Sequence, residues 1–224
     1  MSMVNKSNMV LLYSGGIDST VLLHRLLLEN WDVHPLHVNY GQVTAYKELD
    51  AIKRITSCKL KNKLMKINIE EVHEIGAGSL IGNYPDKVYS TNDWHEKEYF
   101  PNRNLILTII AATYCYKISC SNLAIGIVGE SSYIDTKIKY LKSVESILAP
   151  VGSNPIKIYA PYAELPRIKV VEDAVRFNVD IEKTFSCNAL DDRHCYYCNS
   201  CKEREEALNI YQRLKKGSGI LKVE

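Results

Sequence analysis

Val10-Leu11-Leu12-Tyr13-Ser14-Gly15-Gly16-Ile17-Asp18-Ser19-Thr20 is the stretch from which the fold can be read. Val10 to Tyr13 is a short apolar run that stops at Ser14-Gly15-Gly16. From Asp18 to Leu28 the apolar residues Val21, Leu22, Leu26 and Leu27 recur with helical spacing. A strand, a glycine loop and a helix in that order suit a pyrophosphate. Two glycines let the backbone approach phosphate oxygens without a Cβ in the way. The helix N-terminus brings unpaired N–H groups and the positive end of its dipole. Ser14, Ser19 and Thr20 add hydroxyl donors, and Asp18 either caps the helix or helps to hold Mg2+. A plain Gly-Gly turn with Asp18 as its cap is the alternative. The residues Ser14 to Ser19, in one pattern and in the required strand–loop–helix setting, favour the phosphate site.

Outward from this unit the alternation repeats. Trp31 to Val38 reads as a second strand ending at Asn39-Tyr40-Gly41-Gln42, Tyr46 to Cys58 as an amphipathic helix, and Lys63 to Ile69 as a third strand. Glu74 to Glu98, rich in Gly, Asn, Asp and single aromatics, reads as a long functional loop around Trp94. Then follow a helix near Asn104 to Tyr116, a strand at Leu123 to Val128, a helix at Ile138 to Leu148, a strand at Ile156 to Tyr159 and a helix at Pro166 to Phe177. The pattern predicts an α/β protein with a doubly wound, mainly parallel sheet and helices on its faces. The expected division is a main domain over 1–184, with a small cysteine-bearing tail over 185–224 packed on it.

Composition excludes more than it selects. A chain of 224 residues, 46% hydrophobic and 24% charged, has the material for a real core. A net charge of +2 is too mild to imply nucleic acid or an anionic membrane as partner. No run approaches the roughly 18 apolar residues of a membrane span, and Met1 to Asn8 lacks the regions of a signal peptide. The expectation is a cytoplasmic protein with no membrane and no nucleic-acid partner.

Seven cysteines are unevenly placed. Cys58, Cys115 and Cys120 read as single thiols, whereas Cys187-x7-Cys195-x2-Cys198-x2-Cys201 is a cluster. In a reducing compartment such clustering favours metal over disulfides. Four thiolates close a tetrahedral Zn2+ site with no open position, which makes it structural rather than catalytic. An iron–sulfur cluster is the competing reading of this spacing. A zinc module for nucleic acid is opposed by Glu203, Glu205 and Glu206. His194 reads as a neighbour of the site, not a fifth ligand.

Ser14 to Ser19 resembles the PP-loop of the N-type ATP pyrophosphatases, which cleave ATP between its α- and β-phosphates and leave an adenylated substrate. With Val38-Asn39-Tyr40-Gly41-Gln42, Phe100-Pro101-Asn102-Arg103-Asn104, Ile125-Gly126-Ile127-Val128-Gly129-Glu130 and the cysteine tail, in this order, the chain resembles the QueC family over almost its whole length. The resemblance implies an adenine nucleotide alpha hydrolase-like, Rossmann-like fold and an ATP-dependent C–N ligase of queuosine biosynthesis. In that chemistry ATP adenylates 7-carboxy-7-deazaguanine, ammonia displaces AMP to give an amide, and a second ATP activates the amide for dehydration to the nitrile, preQ0. ATP, Mg2+ and Zn2+ are the implied cofactors, and a homodimer is expected.

By the same resemblance Ser14, Gly15, Gly16, Asp18, Ser19 and Thr20 hold phosphates and metal, and Asp18, Ser19 and Arg103 carry catalysis. Asn39, Tyr40 and Gln42 close the second strand at the carboxyl edge, where open α/β sheets bind ligands. The Arg103 fork suits an anionic phosphate or carboxylate. Gly129 and Glu130 end another strand at that edge and line the base pocket. A strand-ending turn for Asn39 to Gln42, and a surface ion pair for Arg103, are the structural alternatives.

The chain departs from the family at three places. Val43-Thr44 stands where Arg-His is usual, Tyr133-Ile134-Asp135-Thr136-Lys137 where Tyr-Pro-Asp-Cys-Arg is usual, and Arg167, with Lys169 two residues on, where the penultimate helix usually starts with lysine. The ATP half matches and the acceptor half is altered. One alternative is therefore a QueC-like paralogue of anti-phage defence that joins the deazaguanine acid to a protein amine and stops at an amide. Others are a nucleotide-binding module without turnover and a tRNA thiolase of the same superfamily.

Overall fold

In the computed structural model, which describes residues 7–76, 78–81, 100–131, 133–188 and 193–217, five strands form one parallel sheet. They are β1 (Asn8–Leu12), β2 (Asp32–Asn39), β3 (Met65–Asn68), β4 (Asn122–Ile125) and β5 (Lys157–Tyr159), in the order β3-β2-β1-β4-β5. The helices are α1 (Ile17–Leu28), α2 (Ala45–Ile55), α3 (Cys58–Lys61), α4 (Val72–Ile75), α5 (Arg103–Lys117), α6 (Ile138–Ile147), α7 (Arg167–Arg176) and α8 (Asn199–Gly217). Leu12 pairs with both Leu36 and Ile125, so β1 and β4 end level while β2 runs on to Asn39. The winding direction reverses at β1, and the loops after β1 and β4 diverge from one crevice at the carboxyl edge.

The sheet is covered on both faces, which is why its strands read as near-continuous apolar runs. Met9, Leu11 and Tyr13 face α1, α7 and α8 in one core cluster with Val21, Leu22 and Val170. Val10, Leu12, Leu36 and Val38 join Ala111 of α5 and Leu141 of α6 in another. Among the described residues no helix is long and apolar enough to cross a membrane.

Two features depart from the periodicity. β4 ends at Ile125 instead of running to Val128, because α1 presses on the next residue. A Cβ at Gly126 would lie 2.8 Å from the Ser19 nitrogen and 2.9 Å from its Cα. The tail also carries a helix of 19 residues, α8. Its Ala207 and Tyr211 belong to the same core cluster as β1, so the chain from 185 to 217 shares the core of the sheet. Arg204, 7% exposed, donates to the carbonyls of Ile181 at 3.3 Å and Glu182 at 2.8 Å. The expected functional loop around Trp94 lies outside the described residues, as does most of 74–98.

Candidate active site

The glycine loop occupies the crevice between β1 and β4. Gly15 has φ +75, a conformation that only glycine takes without strain, and its carbonyl accepts from Phe185 N–H at 3.1 Å. Gly16 is the N-cap of α1, with φ −75 and ψ 169 and no side-chain cap. Ser14 Oγ lies 3.2 Å from Ser19 Oγ and accepts from Gly16 N–H at 3.3 Å, and Ser19 Oγ donates to the Gly16 carbonyl at 3.3 Å. A Cβ at Gly16 would come 3.3 Å from Ser14 Oγ, so the bare backbone is what keeps this cradle open.

Asp18 does not cap α1. It sits in the first turn, where both its oxygens accept from Arg167 Nη1 at 3.3 Å. Burial raises the Asp18 carboxyl pKa despite Arg167 beside it, and Glu130 nearby pushes the same way. Arg167 Nη2 donates to Glu203 Oε2 at 2.8 Å. Arg167, noted in the sequence only as a substitution for lysine, is thus the cation next to the glycine loop.

Two adjoining cavities, of about 330 Å3 and about 230 Å3, open over this loop and share Ser14, Ser19, Arg103, Asn104 and Gly126. The smaller is walled by the apolar strand ends Leu12, Leu36, Val38 and Ile125, with Leu107 of α5. The larger is polar and is walled by Asp18, Glu130, Tyr133, Arg167, Glu203 and Arg204. A lobe with an apolar wall beside a more polar one, with the phosphate-type loop at both, has the layout of a nucleotide site that continues into a second substrate site.

Arg103, in the first turn of α5, lies deep in both lobes. Burial opposes its charge, but the hydrogen bond with the Tyr40 hydroxyl and the Asp135 carboxylate nearby hold the guanidinium protonated, its pKa raised. Asp135, 4% exposed, accepts from Asn104 N–H at 3.4 Å and so caps α5. Asn104 is 5% exposed, and its Nδ2 has no hydrogen-bond partner among the described residues.

The remaining expected residues divide. Tyr40 and Gln42 line the smaller lobe. Gln42 also builds the turn, accepting from Tyr40 N–H at 2.8 Å and donating to Val38 O at 3.2 Å and Glu48 Oε2 at 3.1 Å. Asn39 stands off the cavity wall and accepts from Gly41 N–H at 3.0 Å, a turn role. Thr20 is fully buried behind the loop, off the wall, because α1 turns it into the core. Gly129 is a packing position, since a Cβ there would meet the Glu164 carbonyl carbon at 2.9 Å; Glu130 lines the larger lobe.

The altered segments have local explanations. Thr44 Oγ1 donates to Glu48 Oε1 at 3.1 Å, so Thr44 orients the acid that Gln42 also holds. Lys137 turns away from the cleft onto the carbonyls of Gly129 and Ser131, whereas Tyr133 and Thr136 face it.

The cysteine thiols converge. The sulfurs of Cys187, Cys195, Cys198 and Cys201 all lie within 4.8 Å of one another, and Cys195 Sγ is 3.8 Å from Cys201 Sγ. That is far beyond the roughly 2.05 Å of a disulfide. It equals the edge, about 3.8 Å, of a tetrahedron with metal–sulfur bonds near 2.3 Å. The cluster packs on Ala51 and Ile55 of α2 through Phe185, and Ser186, Cys187, Asn188, Asn199 and Ser200 line the cleft. The sequence marks Cys187 only as a metal-site residue and gives no signal for Ser186, Asn188, Asn199 and Ser200, because no local pattern says that the tail returns to the glycine loop.

Sheet order, glycine loop and two-lobed cleft define an α/β nucleotide-binding protein of the PP-loop class. Its fold matches that of the U34-tRNA thiolase NcsA from Methanococcus maripaludis with its [4Fe-4S] cluster, with a TM-score of 0.50 and 18% identity over 96% of this chain and 68% of that one. Residues 8–212 match the family described as queuosine biosynthesis protein QueC. The chain is 46% identical over 214 residues to 7-cyano-7-deazaguanine synthase 1 of Desulfitobacterium hafniense (strain Y51), covering 95% of this chain and 96% of that one. It is 32% identical to the 7-cyano-7-deazaguanine synthase of Archaeoglobus fulgidus, covering 88% and 84%. The chain belongs to the QueC family.

Proposed function

We propose that the protein uses ATP and ammonia to convert 7-carboxy-7-deazaguanine to 7-cyano-7-deazaguanine. The observation that carries this reading is the near full-length similarity to synthases of that name, on a chain whose glycine loop lies between an apolar and a polar lobe. In the first half-reaction the substrate carboxylate attacks the α-phosphorus of ATP, and the bond to the β-phosphate breaks to give an acyl adenylate and pyrophosphate. Ammonia then displaces AMP and leaves an amide. In the second, the amide oxygen attacks the α-phosphorus of another ATP, the bond to the β-phosphate breaks to release pyrophosphate, and loss of AMP with both amide protons gives the nitrile.

The chain supplies a place for each part. The apolar lobe receives adenine. Ser14, Gly15, Gly16 and Ser19 cradle the phosphates with N–H and O–H donors aimed where charge develops on the leaving group. Arg103, pre-set by Tyr40 and Asp135, orients the acid against the α-phosphate, and the free Asn104 amide donates to the same ligand. Mg2+, held by Asp18 with phosphate oxygens, would neutralise the departing pyrophosphate. The four thiols fit Zn2+ in number, softness and spacing, and the ion would hold the tail against α2.

The test is incubation with ATP, ammonium and 7-carboxy-7-deazaguanine, followed by mass spectrometry. Nitrile with two AMP formed per product is expected. An amide that accumulates without nitrile would replace this reading with an amide-forming ligase. No pyrophosphate release with this acid would overturn it.

A further inference from the structure

Arg167 is held unequally by its two acids. Its Nη2 meets Glu203 Oε2 at 2.8 Å, the length of a tight charge-assisted bond, while its Nη1 is shared between both Asp18 oxygens at 3.3 Å. Glu203 lies just past the first turn of α8, two residues after Cys201, so the helix that begins in the cysteine cluster also delivers the carboxylate that grips this guanidinium. Arg167 is about four-fifths buried and lines the polar lobe beside the glycine loop.

We propose that Glu203 is a positioning residue for nucleotide binding: it anchors one arm of Arg167 so that the other stays free to leave Asp18 for an incoming phosphate oxygen. This rests on the reading of Ser14 to Ser19 as the ATP phosphate loop. The tight bond persists while the long, bifurcated one exchanges, because an anion over the α1 N-terminus competes only with the weaker contact. Without Glu203 both arms turn to Asp18 as a bidentate fork, and ATP must break that pair before it gains the cation. The cysteine knot is thereby coupled to the phosphate site through a short chain, Cys201 to Glu203 to Arg167 to Asp18, that carries no metal chemistry.

The experiment is calorimetric titration of the full-length, metal-loaded protein with α,β-methylene-ATP, comparing wild type, Glu203→Gln, Arg167→Gln and the double variant, with metal content measured on each. Glu203→Gln is expected to weaken binding about tenfold, the scale of one charge-assisted hydrogen bond. The double variant should bind no worse than Arg167→Gln alone, with metal content unchanged throughout. Wild-type affinity in Glu203→Gln overturns the proposal, as do losses that multiply in the double variant. Metal lost in step with affinity assigns Glu203 to the knot and overturns it as well. The titration contains no deazaguanine acid, so a protein that binds the nucleotide but makes no nitrile would sink the proposed function and leave this inference standing.

Discussion

Gly126 does its work by what it lacks. Three backbone atoms of α1 (Ser19 N, Ser19 Cα and Asp18 C) would lie 2.8, 2.9 and 3.0 Å from a Cβ at this position, and none belongs to a flexible side-chain end. Gly126→Ala must therefore push α1 and its glycine loop away from β4. Overpacking of this kind costs about 1–3 kcal/mol, or roughly 2–10 °C of Tm in a domain of this size. A thermal melt and a nucleotide titration on the same variant check it, and the expected outcome is a loss in both. Residue types at the site were readable from sequence, but the direction of a polar side chain was not. Thr20 and Ser19 are adjacent hydroxyls in one motif, yet α1 sends Ser19 to the cleft and Thr20 into the core. Asn39 and Gln42 both serve the turn after β2, and only Gln42 also reaches the cavity wall.

Among elements, the cysteine knot with α8 changed most between expectation and structure. The four clustered thiols were legible because their spacing is a local property. That Phe185 N–H bonds the Gly15 carbonyl, and that Ala51 and Ile55 of α2 floor the knot, was not. Since the cluster walls the cleft, removing the proposed metal should cost nucleotide affinity as well as stability. With metal bound, a thiol reagent should titrate the exposed Cys58 quickly while the buried Cys115 and Cys120 stay masked. After chelation the four cluster thiols should join Cys58, and nucleotide affinity should fall in the same samples. Cluster thiols that react fully before chelation would count against the metal.

For the whole molecule, the question is whether 185–217 is a unit of its own. Ala207 and Tyr211 lie in the core cluster of β1 and α1, and the Tyr211 hydroxyl donates to the Val179 carbonyl at 2.9 Å. One cooperative denaturant transition is therefore expected, with far-ultraviolet circular dichroism and tryptophan fluorescence coincident. Tyr211→Phe should shift that single transition by about 0.5–1.5 kcal/mol, because it removes one buried hydrogen bond and leaves the Val179 carbonyl with Ile181 N–H alone. A separate early transition, moved alone by Tyr211→Phe, would make the tail a unit that unfolds by itself.

Periodicity, glycine placement and cysteine spacing act over a few residues, and by themselves they determined the α/β class, the phosphate-type loop and the cluster of four cysteines. What the tertiary structure alone decided is which distant residues meet. Arg167 reaches Asp18 across 149 positions, and Phe185 reaches Gly15 from still further along the chain. The physical reason lies in the winding. After β5 the chain carries α7 and α8 back onto the α1 face, so the cation and the knot arrive beside the first loop through packing that no local pattern encodes.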